Sequence, residues 1–231
     1  SDGYIAPPSG DSRWITGESS RARGHVLRSR VDAVMIGAET LRRDDPRLTD
    51  RVTERDRQPR AIVVTRDPSD LPVDARLFQK RGAQTLLIVP PEQGKCVPET
   101  LEENGVRIFT GNLQGDRFDW ASILPRLRRQ GLGRILVEGG GYLLGSLVES
   151  GYGCEYHGFY SGRLFGSGTK ALQFSQAPEE VKEAPQSHLL ETRVFEDDVY
   201  IRRLHQLSNE DQLHQGFRDL FEGDASPCLP D

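Results

Sequence analysis

The sequence predicts an α/β domain with a mostly parallel central sheet, helices on both faces of the sheet, and a C-terminal antiparallel hairpin. The first observation behind this prediction is a series of short, continuous apolar runs separated by helical stretches, which is typical of strands buried on both faces. The second is a change of pattern after residue 154, where apolar and polar residues alternate as in antiparallel strands. The length of 231 residues suits one such domain, alone or with a tail.

The first half of the chain supplies most of the predicted parallel sheet. Residues 1–6 indicate the end of a strand and its turn, and we expect the body of that strand to precede Ser1. A helix is predicted from about residue 17 to residue 30, with Val26 and Leu27 on its apolar side. The buried strands are predicted at residues 33–37, 60–65, 85–89, 106–109 and 134–137.

The second half adds helices and the antiparallel strands. Helices are predicted at residues 119–129, with a kink expected at Pro125, and at about 141–149. Residues 155–160, 191–195 and 199–204 alternate as antiparallel strands, and residues 196–198 form a hairpin turn between the last two. Apolar residues at helical spacing predict a short helix within a polar tail. We therefore divide the chain into a domain at residues 1–205 and a tail at residues 206–231.

Composition excludes several classes of protein. The net charge of −5 argues against a nucleic-acid binder, which is usually basic. No apolar stretch approaches the roughly 20 residues that span a bilayer. The three cysteines have no metal-ligand or disulfide spacing, so a reducing cytoplasm is expected. Most of the basic residues are arginines, whose planar fork suits phosphate.

The segment at residues 135–141 is the first candidate for a functional site. An apolar strand ends in Glu138 and then in Gly139, Gly140 and Gly141, which open a helix. Backbone N–H groups at such a turn suit a phosphate group, and ligands bind at the carboxyl edge of a parallel sheet. The same glycines also fit a tight strand-to-helix turn without a ligand, and for this motif alone we give the two interpretations about equal weight.

Other residues are ambiguous when each is taken alone. Asp44, Asp45 and Pro46 fit the turn that ends a helix. Trp14 fits a core position, and Arg28 fits a solvated helix face. The five histidines have no metal-ligand spacing, and we interpret them as structural; they are His25, His157, His188, His205 and His214.

Taken together, the motifs resemble the reductase domain of riboflavin-biosynthesis enzymes, the RibD C-terminal-domain family. The family motifs S-L-D-G-x-I-A, G-x-S-x-W-I-T and I-L-V-E-G-G correspond to residues 1–6, 10–16 and 135–140. The motifs D-A-I-x-x-G and D-D-P-x-L-T-x-R correspond to residues 32–37 and 44–51. The resemblance continues through Glu155, Tyr156 and residues 166–168 to about Leu204.

The resemblance implies a dihydrofolate-reductase-like fold and specific ligand contacts. The implied substrate contacts are Ser12, Arg28, Leu48, Arg51 and Glu138. The implied NADPH contacts are Trp14, Thr40, Asp44, Gly140, Gly141, Tyr142, Leu143, Leu144, Gly145 and Ser146. Both arginines suit the substrate phosphate, and the helix start at residues 140–146 suits the cofactor pyrophosphate. Arg66, just after a strand, is a further candidate for the NADPH 2′-phosphate, and Glu138 and Asp44 are the candidate catalytic carboxyl groups.

The implied activity is NADPH-dependent reduction of the ribosyl group of 5-amino-6-(5-phosphoribosylamino)uracil to a ribityl group. We expect a cytoplasmic homodimer that binds NADPH and this phosphorylated substrate and uses no metal, nucleic acid or membrane. The sequence lacks the zinc motifs of the partner deaminase domain, so we expect no deamination from it. The alternatives are an NADPH reductase of another pterin- or pyrimidine-like compound and a catalytically silent nucleotide-binding homologue.

Overall fold

The computed structural model describes residues 2–12, 14–51 and 57–205, so the predicted tail at 206–231 lies outside the described residues. The strands in this part of the chain are β1 (Tyr4–Ala6), β2 (Ala33–Gly37), β3 (Arg60–Val64), β4 (Thr85–Val89), β5 (Arg107–Thr110), β6 (Leu113–Gln114), β7 (Arg117–Phe118), β8 (Ile135–Val137), β9 (Glu155–Tyr160), β10 (Thr169–Lys170), β11 (Ser187–Phe195) and β12 (Asp198–His205). The helices are α1 (Glu18–Ser29), α2 (Ala38–Asp44), α3 (Arg76–Arg81), α4 (Glu99–Glu103), α5 (Trp120–Arg129) and α6 (Gly141–Glu149).

A five-stranded parallel sheet forms the centre of the molecule, in the order β5-β4-β3-β2-β8. Its central strands are continuous apolar runs because helices cover both faces. At the amino edge, the Asp32 carboxylate accepts the N–H groups of Gly133 at 3.0 Å and Arg134 at 2.8 Å, and it thereby aligns β8 with β2. The predicted parallel sheet is confirmed.

Separate apolar cores fill the two faces of the sheet. Leu41 of α2 and Leu77 and Phe78 of α3 are fully buried in the first core. Trp120, Ile123 and Leu127 of α5 lie in the second. Their spacing of three and four residues places them on one helix face, which explains why this segment forms a helix although it contains Pro125.

A second, three-stranded antiparallel sheet has the order β11-β12-β9 and contains the predicted hairpin, with Phe195 opposite Asp198. The hairpin is longer than expected, because β11 begins at Ser187. A register shift between Leu189 and Glu191 interrupts the alternation there and hides the start of the strand in the sequence.

The hairpin turn also caps α1. Gly17, the residue before the helix, offers no capping side chain. The carboxylate of Asp198, a residue only 4% exposed, instead accepts the Gly17 N–H at 2.7 Å and the Ser20 hydroxyl at 2.6 Å. Glu196 accepts the Ser19 hydroxyl at 2.9 Å. The antiparallel sheet therefore fixes the position of α1, which carries two residues of the site described next.

Candidate functional site

The predicted site residues converge on the carboxyl edge of the parallel sheet. Thr40 and Asp44 lie in α2 directly after β2, Arg66 follows β3, and Glu138 follows β8. Because β3, β2 and β8 are neighbours, their three carboxyl ends meet at one edge. Parallel α/β sheets bind ligands at this edge.

Arg28 and Glu138 form a bidentate ion pair at this edge. The Arg28 Nε and Nη2 atoms each lie 2.6 Å from a different carboxylate oxygen of Glu138. The two side chains are 19% and 26% exposed, so the pair is partly shielded from water. The Glu138 N–H donates to the carbonyl of Met35 at 2.9 Å, which places the carboxylate immediately past the sheet. The double N–H face of Arg28, expected to hold a substrate phosphate, is directed to Glu138 in this structure.

The adjacent residues Asp44 and Asp45 have different partners. Asp44 is exposed, and its carboxylate accepts the Ser12 hydroxyl at 3.0 Å, so a predicted substrate contact and a predicted cofactor contact are neighbours. Asp45 ends α2 with a left-handed φ of 39° and accepts the backbone N–H and the Nε of Arg76 at 2.8 and 2.6 Å. The helix-ending role considered for this motif therefore belongs to Asp45, which also caps α3.

The glycine turn after Glu138 has an open helix start. Gly139 and Gly140 have φ values of 72° and 77°, which disfavour side-chain-bearing residues. A Cβ on Gly139 would lie 3.2 Å from the Thr40 hydroxyl oxygen. The N-cap residue of α6 is Gly140, which has no side chain to cap the helix. Backbone N–H groups at a helix start of this kind can bind an anionic group.

The rest of α6 packs into the protein. Gly141 and Gly145 approach the carbonyl oxygens of Lys170 and Gln173 so closely that a Cβ would overlap them. Leu143 and Ser146 are buried, and the Ser146 hydroxyl accepts the Trp120 indole N–H at 2.8 Å. Of the predicted residues 140–146, only the backbone at the start of the helix and the side chain of Tyr142 are therefore directed to the site; Leu144 is half-buried.

Two guanidinium groups lie close to the ring of Tyr142. The Arg117 guanidinium carbon is 4.4 Å from the centre of the Tyr142 ring, and that of Arg66 is 5.4 Å from it. The Tyr142 hydroxyl donates to the Asp116 carboxylate at 2.8 Å; burial, and then this hydrogen bond, raise the pKa of Tyr142. Sequence reasoning missed Arg117, because the short β6–β7 hairpin that carries it gives no periodic signal.

A loop at residues 46–51 carries two further predicted substrate contacts. Leu48 is 1% exposed and has a left-handed φ of 51°, whereas Arg51 is exposed. Arg81 braces one side of the loop by donating to the carbonyls of Arg47 and Leu48 at 2.9 and 3.0 Å. A non-glycine residue at positive φ is uncommon and marks a constrained backbone.

His25 contacts this loop from α1. Its Nδ1 lies 3.1 Å from the carbonyl oxygen of Thr49, and the Arg28 Nη1 donates to the same oxygen at 3.1 Å. Sequence reasoning interpreted His25 as merely structural. Its separation of three residues from Arg28 on a helix could have indicated that both side chains point the same way.

Trp14 lies at a second opening. Its side chain is exposed, and its backbone has a left-handed φ of 57°. The centre of its ring lies 4.5 Å from the Arg21 guanidinium carbon. It lines a cavity of about 330 Å³ together with Thr16, Arg163 and the hairpin turn. The structure thus places Trp14 beside the antiparallel sheet, and its expected contact with NADPH stays a prediction.

Two general findings complete the description. Within the described residues, no group of three or more His, Cys, Asp or Glu side chains is arranged to hold a metal ion. In the same part of the chain, no helix combines the length and apolar character needed to cross a membrane.

Comparison with known proteins identifies the family. A model described as the RibD C-terminal domain matches residues 1–201. The riboflavin biosynthesis protein RibD of Aquifex aeolicus is 33% identical over 168 residues, which is 72% of this chain and 45% of that protein. The RibD structure from Acinetobacter baumannii superposes with a TM-score of 0.74 at 22% identity, covering 88% of this chain and 55% of that one.

A Thermotoga maritima structure adds a functional description. That protein is described as a diaminohydroxyphosphoribosylaminopyrimidine deaminase and 5-amino-6-(5-phosphoribosylamino)uracil reductase. It superposes with a TM-score of 0.70 at 26% identity, covering 88% of this chain and 53% of that one. The chain thus spans about half the length of the relatives it matches, and the predicted dihydrofolate-reductase-like fold is confirmed. The chain belongs to the RibD C-terminal-domain family, the reductase domain of riboflavin-biosynthesis proteins.

Proposed function

We propose that this domain uses NADPH to reduce the ribosyl group of 5-amino-6-(5-phosphoribosylamino)uracil to a ribityl group. The observation that carries the proposal is the position of the Arg28–Glu138 pair beside the open start of α6, at the sheet edge where predicted substrate and cofactor contacts meet. Family membership supports a reductase of riboflavin biosynthesis. The identities of the substrate and the cofactor are our inference.

The residues around the glycine turn fit a nicotinamide dinucleotide. Its pyrophosphate would accept hydrogen bonds from the N–H groups at the start of α6, near Thr40. Arg66, whose side chain is 52% exposed beside Tyr142, would attract the 2′-phosphate that distinguishes NADPH from NADH. Arg117 is only 11% exposed and pairs with Glu149 at 3.0 Å, so it would hold Tyr142 rather than the phosphate. When bound, the cofactor supplies the hydride, and the protein contributes placement and charge.

Substrate binding is assigned to the residues across the same edge. Arg51 is exposed at the end of the 46–51 loop, and its guanidinium is the principal candidate for the 5′-phosphate, since Arg28 is paired with Glu138. The Glu138 carboxylate, fixed by Arg28, would accept hydrogen bonds from N–H or O–H groups of the substrate. Asp44, exposed and hydrogen-bonded to Ser12, is our second candidate for a carboxyl group that assists proton transfer.

A direct assay tests the proposal. Purified protein should oxidise NADPH when 5-amino-6-(5-phosphoribosylamino)uracil is added, at a lower KM for NADPH than for NADH. Pterin- and pyrimidine-like compounds without the ribosyl phosphate serve as alternative substrates. Turnover of one of those instead would favour the alternative reductase, and cofactor binding without any turnover would favour a silent nucleotide-binding homologue.

Arg51→Ala provides the matched variant for this assay. Losing a charge-assisted hydrogen bond costs about 1.5–3 kcal/mol, so KM for the phosphorylated substrate should rise roughly 10- to 150-fold. The dissociation constant of NADPH should stay unchanged. A wild-type KM in the variant would refute the phosphate assignment.

A further inference from the structure

His25 carries an inference that deepens the proposed function and depends on it. The starting observation is that two side chains of α1 meet at one carbonyl oxygen. Both the His25 Nδ1 and the Arg28 Nη1 lie 3.1 Å from the oxygen of Thr49. A carbonyl oxygen has two lone pairs and only accepts hydrogen bonds. The His25 Nδ1 must therefore carry a proton, and the two donors together saturate this oxygen.

The neighbourhood of His25 favours the neutral ring. Burial lowers the pKa of His25, and the positive charges of Arg28 and Arg51 lower it further, against smaller opposing effects of the hydrogen bond to Thr49 and of the Asp50 charge. The neutral form with the proton on Nδ1 still donates to Thr49. The contact therefore persists at neutral pH without adding a third positive charge beside the two arginines.

The loop held by this contact is braced at several points. Arg81 holds the carbonyls of residues 47 and 48, and the Asp50 N–H donates to the Gln58 side chain at 2.8 Å. His25 and Arg28 both donate to the carbonyl oxygen of Thr49, which lies between these braced positions of the loop. Arg28 divides its donors between Thr49 and Glu138, whereas the His25 hydrogen bond is directed to Thr49.

We propose that His25 is a positioning residue of the proposed substrate site: by holding Thr49, it fixes the loop that carries Leu48 and Arg51. Leu48 has a left-handed backbone, which persists only where surrounding contacts hold it. Loss of the His25 contact leaves the Thr49 carbonyl held by Arg28 alone and loosens the segment between Leu48 and Arg51. Arg51 then samples more orientations, and its capture of the substrate phosphate weakens.

Kinetics on three variants test this role. His25→Ala should raise KM for 5-amino-6-(5-phosphoribosylamino)uracil about fivefold, the equivalent of one net hydrogen bond, and leave kcat and the KM for NADPH unchanged. His25→Gln keeps an N–H donor and should restore most of the loss. Glu103→Ala, at an exposed position of α4 away from the site and from β11, is the control and should match the wild type.

Hydrogen exchange provides a readout that needs no substrate. Amides of residues 48–51 should exchange faster in His25→Ala than in the wild type, while amides of β2 and β3 keep their protection. If the wild type does not reduce the substrate, the proposed function fails, and exchange alone still decides the positioning role. Unchanged exchange at residues 48–51, or equal increases in KM for substrate and NADPH with a lower melting temperature, would overturn it.

Discussion

At the scale of single residues, the Arg28–Glu138 pair decides how the proposed chemistry is organised. A bidentate guanidinium–carboxylate pair fixes both groups more rigidly than a single contact does. Glu138 is then held by a neighbour as well as by the sheet, and its oxygens keep one orientation. The pair couples α1 to the carboxyl end of β8, so changes at either residue should be felt at the other.

The first prediction is a double-mutant cycle on this pair. Glu138→Gln should lower kcat/KM about tenfold or more, because it removes the charge that Arg28 orients. Arg28→Ala should also lower it, and the double variant should deviate from the sum of the two effects by about 0.5–3 kcal/mol, as contacting residues do. Steady-state kinetics give kcat/KM for each variant, and thermal unfolding of the same preparations gives the stability of each variant.

Two results would contradict this prediction. Strict additivity would show that Arg28 and Glu138 act independently. If Glu138→Gln lost thermal stability but kept its turnover, the role of Glu138 would be only to stabilise the glycine turn. Glu39→Gln is the control, because Glu39 pairs with Arg42 and Arg43 on the exposed side of α2 and should change neither quantity.

The sequence predicted which residues gather at this edge but not how they pair. The order of strands and motifs indicated that Glu138 and Asp44 follow buried strands, and the resemblance supplied Arg28 and Ser12. Arg28 and Glu138 are 110 residues apart, and Ser12 and Asp44 are 32 apart. The directions in which such distant side chains point are not encoded by hydrophobic periodicity or by residue propensities. His25 was missed for the same reason, since its partner is a backbone carbonyl in a loop.

At the scale of elements, the hairpin turn and α1 form one unit. Asp198 supplies the cap that α1 lacks in its own sequence, and it is almost fully buried. Carboxylates near a helix start also interact favourably with the helix dipole. Because α1 carries His25 and Arg28, this cap contributes to the site through the helix.

The second prediction follows from this cap. Asp198→Ala removes the acceptor of the Gly17 N–H and of the buried Ser20 hydroxyl, so the free energy of unfolding should fall by about 1–3 kcal/mol. Urea unfolding followed by circular dichroism measures the loss. Asp197→Ala, at the exposed neighbouring position, should remain within about 0.5 kcal/mol of the wild type, and an equal loss in both variants would contradict the capping role.

A charged layer within the antiparallel sheet gives the third prediction. Burial alone would raise the pKa of Glu155, but hydrogen bonds from His157 and Arg202 outweigh it and hold the pKa at about 2, against an ordinary value of 4.5. Between pH 4.5 and pH 2, the Glu155 carboxylate therefore stays ionised in the folded protein but becomes protonated in the unfolded chain. Stability from Glu155 is present above pH 4.5 and is lost as the pH falls from 4.5 towards 2.

Acid unfolding of the wild type and of Glu155→Gln tests the predicted loss of stability between pH 4.5 and pH 2. The wild type should lose up to about 3 kcal/mol more stability than Glu155→Gln between pH 4.5 and pH 2. Glu180→Gln, at an exposed surface pair with Lys182, is the control and should follow the wild-type curve. Parallel curves for wild type and Glu155→Gln would show that the network does not depress the pKa of Glu155.

Continuous apolar strands such as β2 and β4 were predictable from the sequence, whereas the shortest helices were not. The limits of α6 and β9 agree with the prediction, because apolar periodicity and glycine signals coincide there. The helices α3 and α4 have six and five residues, too few for a period of 3.6 to show. The pairing of β1 with β10 depends on a contact distant in sequence, which local signals do not contain.

At the scale of the whole molecule, the two sheets differ in how well their apolar surfaces are protected from solvent. Helices protect both faces of the parallel sheet, but β11 is an edge strand of the antiparallel sheet. It exposes Leu189, Leu190 and Val194 to solvent, at 56%, 48% and 71%. An exposed apolar edge strand favours association with another chain. We infer that a second copy covers it and forms the homodimer that the sequence analysis expects.

The fourth prediction is that β11 forms the interface of that homodimer. Light scattering at micromolar concentration should give twice the monomer mass of 25.9 kDa. Val194→Lys places a charge on the apolar edge and should weaken the dimer, since an unpaired buried charge is costly. Lys182→Glu, at an exposed site outside β11, is the control and should leave the mass unchanged. A wild-type mass near 25.9 kDa would exclude the dimer, and a dimer unaffected by Val194→Lys would place the interface elsewhere on the molecule.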